Sequence, residues 1–299
     1  MNILNKVLVP SISVLPKGVV KLFANKYIAG DKLSDAVNTV KNLNQKKLMA
    51  TVDVLGEAIK EKSEAVTSKN ENLKVLEAIN ENQLDCNLSI KLTMLGLNID
   101  YDFCREQVFE ILEKAKSINT FVRIDMEDST VTESTIRIFE ESKKKFDNVG
   151  IVIQAYLRRS EKDIIRLTDI GANFRICKGI YVEPEEIAFK DGDEIRKNFL
   201  KILRIALERK SYVGIATHDE FLIKESVKMV KEMNLRKDEY EFQMLLGVKE
   251  NIREEAVTKG HRMRIYVPFG QRWYEYSIRR FKENPNLAGQ VLKSIFTGN

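Results

Sequence analysis

A chain of 299 residues matches one α/β barrel, typically about 250 residues, and is long for one β-sandwich. With 43% hydrophobic residues it can bury a large core, which excludes global disorder, and its 5 Pro and 14 Gly are too few for a loop-rich all-β protein. The 49 basic and 44 acidic residues leave a net charge of +5, which suits a mildly basic surface or an acidic substrate better than a nucleic-acid binder.

Residues 1–46 read as a helical arm. The apolar run Val7 to Leu15 is interrupted by Pro10 and followed by Pro16, with no small-residue cleavage site, so a signal peptide is not expected. No apolar run approaches the ~20 residues of a transmembrane helix. Asp31 and Ser34 are placed to cap a helix over 35–46. A first strand, 48–54, ends in Gly56-Glu57, and helical patterning fills 57–82. The unit then repeats: strands at 88–92, 121–125, 150–154, 173–177, 212–216, 240–244 and 263–267 alternate with helices at 101–117, 132–145, 160–169, 193–209, 219–233, 249–259 and 271–283. Short β-rich apolar runs between amphipathic helices specify parallel βαβ units, and eight of them close most economically into a (β/α)₈ barrel over 47–286, with the last helix over its C-terminal rim and a tail over 287–299. An open doubly wound sheet is the runner-up, but neither GxGxxG nor GxxxxGK[ST] occurs.

Catalytic groups of such a barrel sit where strands end. Those positions hold Asp53, Glu57, Lys91, Asp125, Gln154, Arg175, Lys178, Thr217, His218, Gln243 and Tyr266. Each has a plain alternative, as a helix cap or a side chain reaching solvent; a purely structural barrel does not require the whole ring. In Arg175-Ile-Cys-Lys178-Gly179, a basic pair beside bare backbone suits an anionic or electron-rich cofactor; the alternative is an ordinary strand exit. On the last helix, Tyr276, Arg279, Arg280 and Glu283 share adjoining parts of one face, as a carboxylate clamp requires; the alternative is an Arg279–Glu283 surface pair. The three cysteines lack a CxxC, which points to a reducing cytoplasm, and two histidines without HxxxH argue against a metal site.

These residues resemble the proline dehydrogenase family in its small monofunctional bacterial form, from about 51 to 286. The likeness rests on Thr51-Val-Asp-Val-Leu-Gly-Glu57, Ser89-Ile-Lys91-Leu, Arg123-Ile-Asp125-Met-Glu, Gln154-Ala-Tyr156, Arg175-x-x-Lys178-Gly179, Ala216-Thr-His218, Glu241-Phe-Gln243-x-Leu245-x-Gly247, Arg264-Ile-Tyr266-Val-Pro268-x-Gly270 and Tyr276-x-x-Arg279-Arg280-x-x-Glu283-Asn. The resemblance implies FAD bound without a Rossmann fold and oxidation of L-proline to 1-pyrroline-5-carboxylate by hydride transfer to flavin N5, the first step of proline degradation to glutamate. It implies that Lys91, Arg279 and Arg280 bind the proline carboxylate and that Tyr181, Leu245 and Tyr266 pack on the ring. Arg175 then reaches flavin N5, and Gln154, Met126, Lys178, Gly179, Ile180, Thr217 and His218 make other flavin contacts. Asp125 orients rim groups, and Glu57 pairs with Arg279 as a gate. Quinone is the implied electron acceptor. The arm mixes apolar residues with Lys6, Lys17, Lys21 and Lys26, which suits peripheral contact with an anionic membrane surface; the alternative is that its apolar residues pack over the bottom of the barrel. Ile180 stands where the family commonly has alanine, and Leu246 where it commonly has histidine. Two competing expectations are a barrel aldolase using Lys91 or Lys178 as a Schiff-base amine, and an inactive flavin- or amino-acid-binding barrel.

Overall fold

A computed structural model of the chain describes residues 17–56, 59–274 and 276–278. Glu57, Arg279, Arg280, Glu283 and the expected tail over 287–299 lie outside them. Eight strands pair in parallel, each with its neighbours in chain order, and β8 closes on β1. In order, the elements are α1 Lys17–Tyr27, α2 Leu33–Gln45, β1 Met49–Val54, α3 Lys62–Glu81, β2 Cys86–Lys91, α4 Tyr101–Ser117, β3 Val122–Asp125, α5 Ser129–Lys143, β4 Val149–Gln154, α6 Ser160–Thr168, β5 Phe174–Cys177, α7 Gly192–Glu208, β6 Val213–Ala216, α8 Glu220–Glu232, β7 Tyr240–Leu245, α9 Glu250–Thr258 and β8 Met263–Phe269. The expected barrel is therefore the observed one.

Its boundaries move where capping chemistry decides them. α2 begins at Leu33, and neither Asp31 nor Ser34 caps it: the Lys32 backbone N–H donates to Asp35 Oδ2 at 3.0 Å, so a carboxylate inside the first turn reaches back to a free donor. The helix expected from 57 begins at Lys62 for the same reason, with Glu64 accepting from the backbone N–H of Lys60 at 2.7 Å and of Glu61 at 3.2 Å. α5 starts at Ser129 and not at 132, because Asp128 accepts from the Thr130 N–H at 2.9 Å. β2 ends at Lys91, and Leu92 opens a 3₁₀ turn.

Alternation along each strand gives the barrel two different surfaces. Outward residues such as Val52, Ile90, Ile124, Ile151, Ile176, Ile215 and Ile265 are buried under the helices and form the main hydrophobic core. Inward residues are largely polar, including Thr51, Asp53, Ser89, Arg123, Asp125, Gln154, Arg175, Glu241, Gln243 and Arg264, all buried. Polar groups sealed this way cost stability unless they bond one another, so the interior is organised by pairing.

The arm corrects one expectation. Its apolar residues were expected to cover the bottom of the barrel, opposite the rim. Instead the Ala29 N–H donates to the Pro268 carbonyl at 2.9 Å, and the Gly270 N–H donates to the Gly30 carbonyl at 2.9 Å, both at the C-terminal end of β8. Ala24 and Ile28 bury against Leu55 and Tyr276, with Trp273 alongside. α1 therefore stands at the rim, beside Trp273 and Tyr276, while α2 packs along β1 and β8. Among the described residues no helix is long and apolar enough to cross a membrane.

Candidate active site

Six strands bring one hydrogen-bonded cluster together at their C-terminal ends. Lys91 Nζ lies 2.5 Å from Asp53 Oδ1, 3.4 Å from Asp125 Oδ2 and 3.2 Å from the Tyr266 hydroxyl. Asp125 also accepts from Ser89 Oγ at 2.7 Å, from the Tyr266 hydroxyl at 2.8 Å and from Arg175 Nη1 at 2.6 Å. Arg175 Nη1 is 3.3 Å from Ser89 Oγ, and Arg175 Nε donates to Gln243 Oε1 at 2.6 Å. The guanidinium carbon stands 5.1 Å from the centroid of the Tyr266 ring. Two carboxylates thus face two cations, and Arg175 Nη2 has no hydrogen-bond partner among the described residues.

The protonation states follow from burial and charge. Burial pushes the Asp53 carboxyl up, against the pull of the Lys91 ammonium. Burial acts on Asp125 as well, but Arg175 and Lys91 outweigh it and hold that carboxyl below the usual range. Burial also opposes the Lys91 charge, and Asp53, Tyr266 and Asp125 overcome it, lifting Lys91 well above the ordinary lysine value. Burial and the two carboxylates keep Tyr266 a neutral phenol. An amine nucleophile needs the opposite shift at lysine, so Lys91 is unsuited to the aldolase reading. Lys178, the other candidate, is exposed and pairs with Asp219 at 3.2 Å.

Three loops frame the cluster. Gln154 Nε2 donates to the Glu127 carbonyl at 2.8 Å, and the Glu127 carboxylate binds the Thr93 N–H at 3.0 Å and the Thr93 hydroxyl. These bonds fasten the segment carrying buried Met126 to the turn after β2. Gly179 has φ +110, and a Cβ there would overlap the ring of Tyr156, so backbone geometry and packing already account for this glycine. After it, Ile180 is exposed and Tyr181 half-buried. Glu183 accepts from the Ser129 N–H at 2.7 Å and its hydroxyl at 2.5 Å, tying the β5–α7 loop to the start of α5. Thr217 Oγ1 accepts from the Asp219 N–H at 3.1 Å, and Asp219 caps α8. His218 is half-buried: its Nε2 accepts from the Leu245 N–H at 2.9 Å, which places a neutral imidazole's proton on Nδ1.

Of the residues singled out from sequence, Lys91, Asp125, Arg175 and Tyr266 meet directly, and Leu245 pairs in register with Tyr266. Met126, Gln154, Lys178, Gly179, Ile180, Tyr181, Thr217 and His218 lie at strand ends or in the loops beyond them. Glu57, Arg279 and Arg280 fall outside the described residues. Sequence reasoning placed Asp53 and Gln243 on the rim without a specific role and Ser89 only within a family motif, although each is bonded into the cluster. Their inward position on a strand was legible; their partners, on other strands, were not. Among the described residues no group of three or more His, Cys, Asp or Glu side chains is placed to hold a metal ion.

The profile of the family described as proline dehydrogenase matches residues 36–293. Proline dehydrogenase 1 of Bacillus subtilis subsp. natto is 39% identical over 275 residues, covering 92% of this chain and 91% of that protein. The proline dehydrogenase of Deinococcus radiodurans is 31% identical over 294 residues, 97% of this chain and 95% of that protein. A crystal structure of proline utilization A (PutA) from Bdellovibrio bacteriovorus, inactivated by N-propargylglycine, superposes with a TM-score of 0.81 at 26% identity. This chain is 90% covered by that match and spans 34% of the larger protein.

Proposed function

Because the chain belongs to the proline dehydrogenase family, we propose that its rim binds FAD and L-proline side by side and that it produces 1-pyrroline-5-carboxylate. The observation carrying this reading is the closed cluster of Lys91, Asp53, Asp125, Arg175 and Tyr266 at the strand ends. The residues present fit a flavin: Arg175 offers an Nη2 edge with no partner among the described residues, Gln154 an amide, and Lys178 an exposed cation beside the glycine turn. When bound, the flavin supplies a two-electron acceptor for the hydride on the proline ring carbon next to nitrogen.

The chain's own residues supply position and field. Lys91, locked as an ammonium, pairs with the proline carboxylate together with Arg279 and Arg280. Tyr181, Leu245 and Tyr266 pack on the ring and hold its reacting carbon in place, and much of the rate comes from that orientation. Asp125 fixes Lys91, Arg175 and Tyr266 relative to one another. Arg175 places positive charge where the reduced flavin gains negative charge. Met126, Lys178, Gly179, Ile180, Thr217 and His218 complete the flavin site. The test is anaerobic addition of L-proline to the purified protein: flavin absorbance should bleach, and N-propargylglycine should inactivate the protein progressively. Protein that carries flavin and is not bleached by proline would be a binder and not the enzyme; protein that takes up no flavin would sink the reading altogether.

Arg280→Ala is expected to raise the proline KM by about ten- to a hundred-fold, since a charge-assisted hydrogen bond contributes about 1.5–3 kcal/mol and tenfold needs about 1.4. Flavin content should stay near normal; unchanged binding of a carboxylate-bearing proline analogue would remove Arg280 from the clamp. The proposed Glu57–Arg279 gate closes the pocket once proline is in. Glu57→Ala should weaken proline use and leave flavin bound, and a structure with a proline analogue in place and the two side chains far apart would refute the gate.

The proposed electron acceptor is quinone, reached at a membrane surface through the arm. Exposed Lys21 and Lys26 on α1 provide charge for an anionic surface, at about 1 kcal/mol each. Deleting residues 1–29 separates this role from packing. Loss of liposome binding and quinone turnover alone supports the membrane role. Loss of stability, with dye-linked and quinone-linked activity falling together, means that α1 serves to hold Trp273 and Tyr276 in place.

A further inference from the structure

Beneath the cluster the barrel holds a chain of polar groups with no part in the reaction as described. Glu241 and Gln243 stand two apart on β7, so both point inward. Gln243 Nε2 donates to Glu241 Oε1 at 2.6 Å, and Gln243 Oε1 accepts from Arg175 Nε at 2.6 Å. Glu241 also accepts from Arg264 Nε at 2.7 Å and from the Tyr212 hydroxyl at 2.8 Å. Burial opposes the Glu241 charge, but Arg264 outweighs it and holds the carboxyl down at about 2. Glu241 therefore only accepts, and Arg175 Nε only donates. One orientation of the Gln243 amide satisfies both; the flipped one sets donor against donor and acceptor against acceptor. Gly214 on β6 makes room for that amide, since a Cβ there would overlap Gln243 Nε2 and lie 2.8 Å from its Cδ.

We infer that Gln243, its amide oriented by Glu241 and accommodated by Gly214, is the positioning residue that turns Arg175 so that its Nη2 edge is left for the flavin. Asp125 holds Nη1 and Gln243 holds Nε, which leaves Nη2 without a partner among the described residues. The amide does this without formal charge. A carboxylate in its place would offset the Arg175 charge on which a reduced flavin draws. The inference rests on the reading that Arg175 serves the flavin.

The experiment uses flavin-loaded Gln243→Met, Gly214→Ala and Arg175→Ala proteins and the two doubles with Arg175→Ala. The readouts are the flavin midpoint potential and the rate of reduction by proline. Gln243→Met should lower the potential by about 30 mV, a tenfold loss for a two-electron couple, and slow reduction about tenfold or more. The proline KM should change less than about twofold, because the carboxylate clamp is intact. Gly214→Ala should shift both readouts the same way. The glycine variant carries the test if Gln243→Met does not fold, since the three atoms nearest the added methyl all belong to the Gln243 side chain. In the Arg175→Ala background neither change should have further effect, because its route is gone. Equal shifts in both backgrounds, or an unmoved potential in the single variants, would overturn the inference. An unmoved potential in Arg175→Ala alone would instead overturn the role given to Arg175.

Discussion

Asp125→Asn is expected to lower the melting temperature by roughly 10 °C and to remove most proline oxidation. The carboxylate accepts from Ser89, Tyr266, Arg175 and Lys91 at once, and it is buried. Asparagine keeps the shape, but its amide nitrogen sets a donor against donors and leaves the Arg175 and Lys91 charges facing Asp53 alone. Breaking a buried ion pair by removing one partner costs about 3–5 kcal/mol, and for a chain of this size that corresponds to a drop of roughly 10 °C. Activity falls with it because Arg175 and Tyr266 lose their common anchor. Calorimetry with steady-state kinetics checks both halves, and a variant that melts and turns over like wild type would show that Asp125 organises nothing.

The second large effect is expected at Lys91. Lys91→Met should raise the proline KM by about ten- to a hundred-fold while flavin stays bound, because methionine fills the volume without the charge the carboxylate needs. The change also leaves Asp53 and Asp125 facing each other without the ammonium between them. Asp53, already pushed up by burial, should then shift further up. Proton uptake on folding, compared with wild type, measures that step directly. An unchanged KM would take Lys91 out of the substrate site.

The cluster also sets an acid limit. The folded Asp125 carboxyl titrates below its unfolded value, so its contribution to stability is complete above the unfolded value of about 4 and is lost as pH falls through the folded one. Asp53 has the opposite sign: its folded carboxyl holds a proton more tightly than the unfolded one, so ionising it works against folding as pH rises past about 4. Within the cluster acid destabilisation therefore comes from Asp125 and not from Asp53, with buried Glu241 adding a contribution of the same sign, and Asp125→Asn should reduce the pH dependence below about 4 without removing it.

Much of this arrangement was legible in the chain. Period-two alternation is a local property, so Arg123-Ile-Asp125 and Arg175-Ile-Cys177 already declared which side chains face inward. Eight short β-rich runs between amphipathic helices declared a parallel barrel, because each strand must bury both faces. The ordered motifs declared the family. Helix starts were less legible, since Asp35 and Glu64 cap from inside the first turn and resemble ordinary helical carboxylates.

What only the tertiary structure decided is who meets whom. Asp53 and Lys91 are 38 residues apart, and Arg175 and Gln243 are 68 apart. Closure of the barrel sets those partners, and no spacing along the chain encodes them. The same holds for Gly179, whose missing side chain makes way for Tyr156, and for α1, which goes to the rim because the backbone of residues 29 and 30 pairs with the end of β8. Local pattern determined the direction in which each group points, because direction depends on backbone period alone; the electrostatics of the site arose only when the closed sheet brought buried charges within bonding distance.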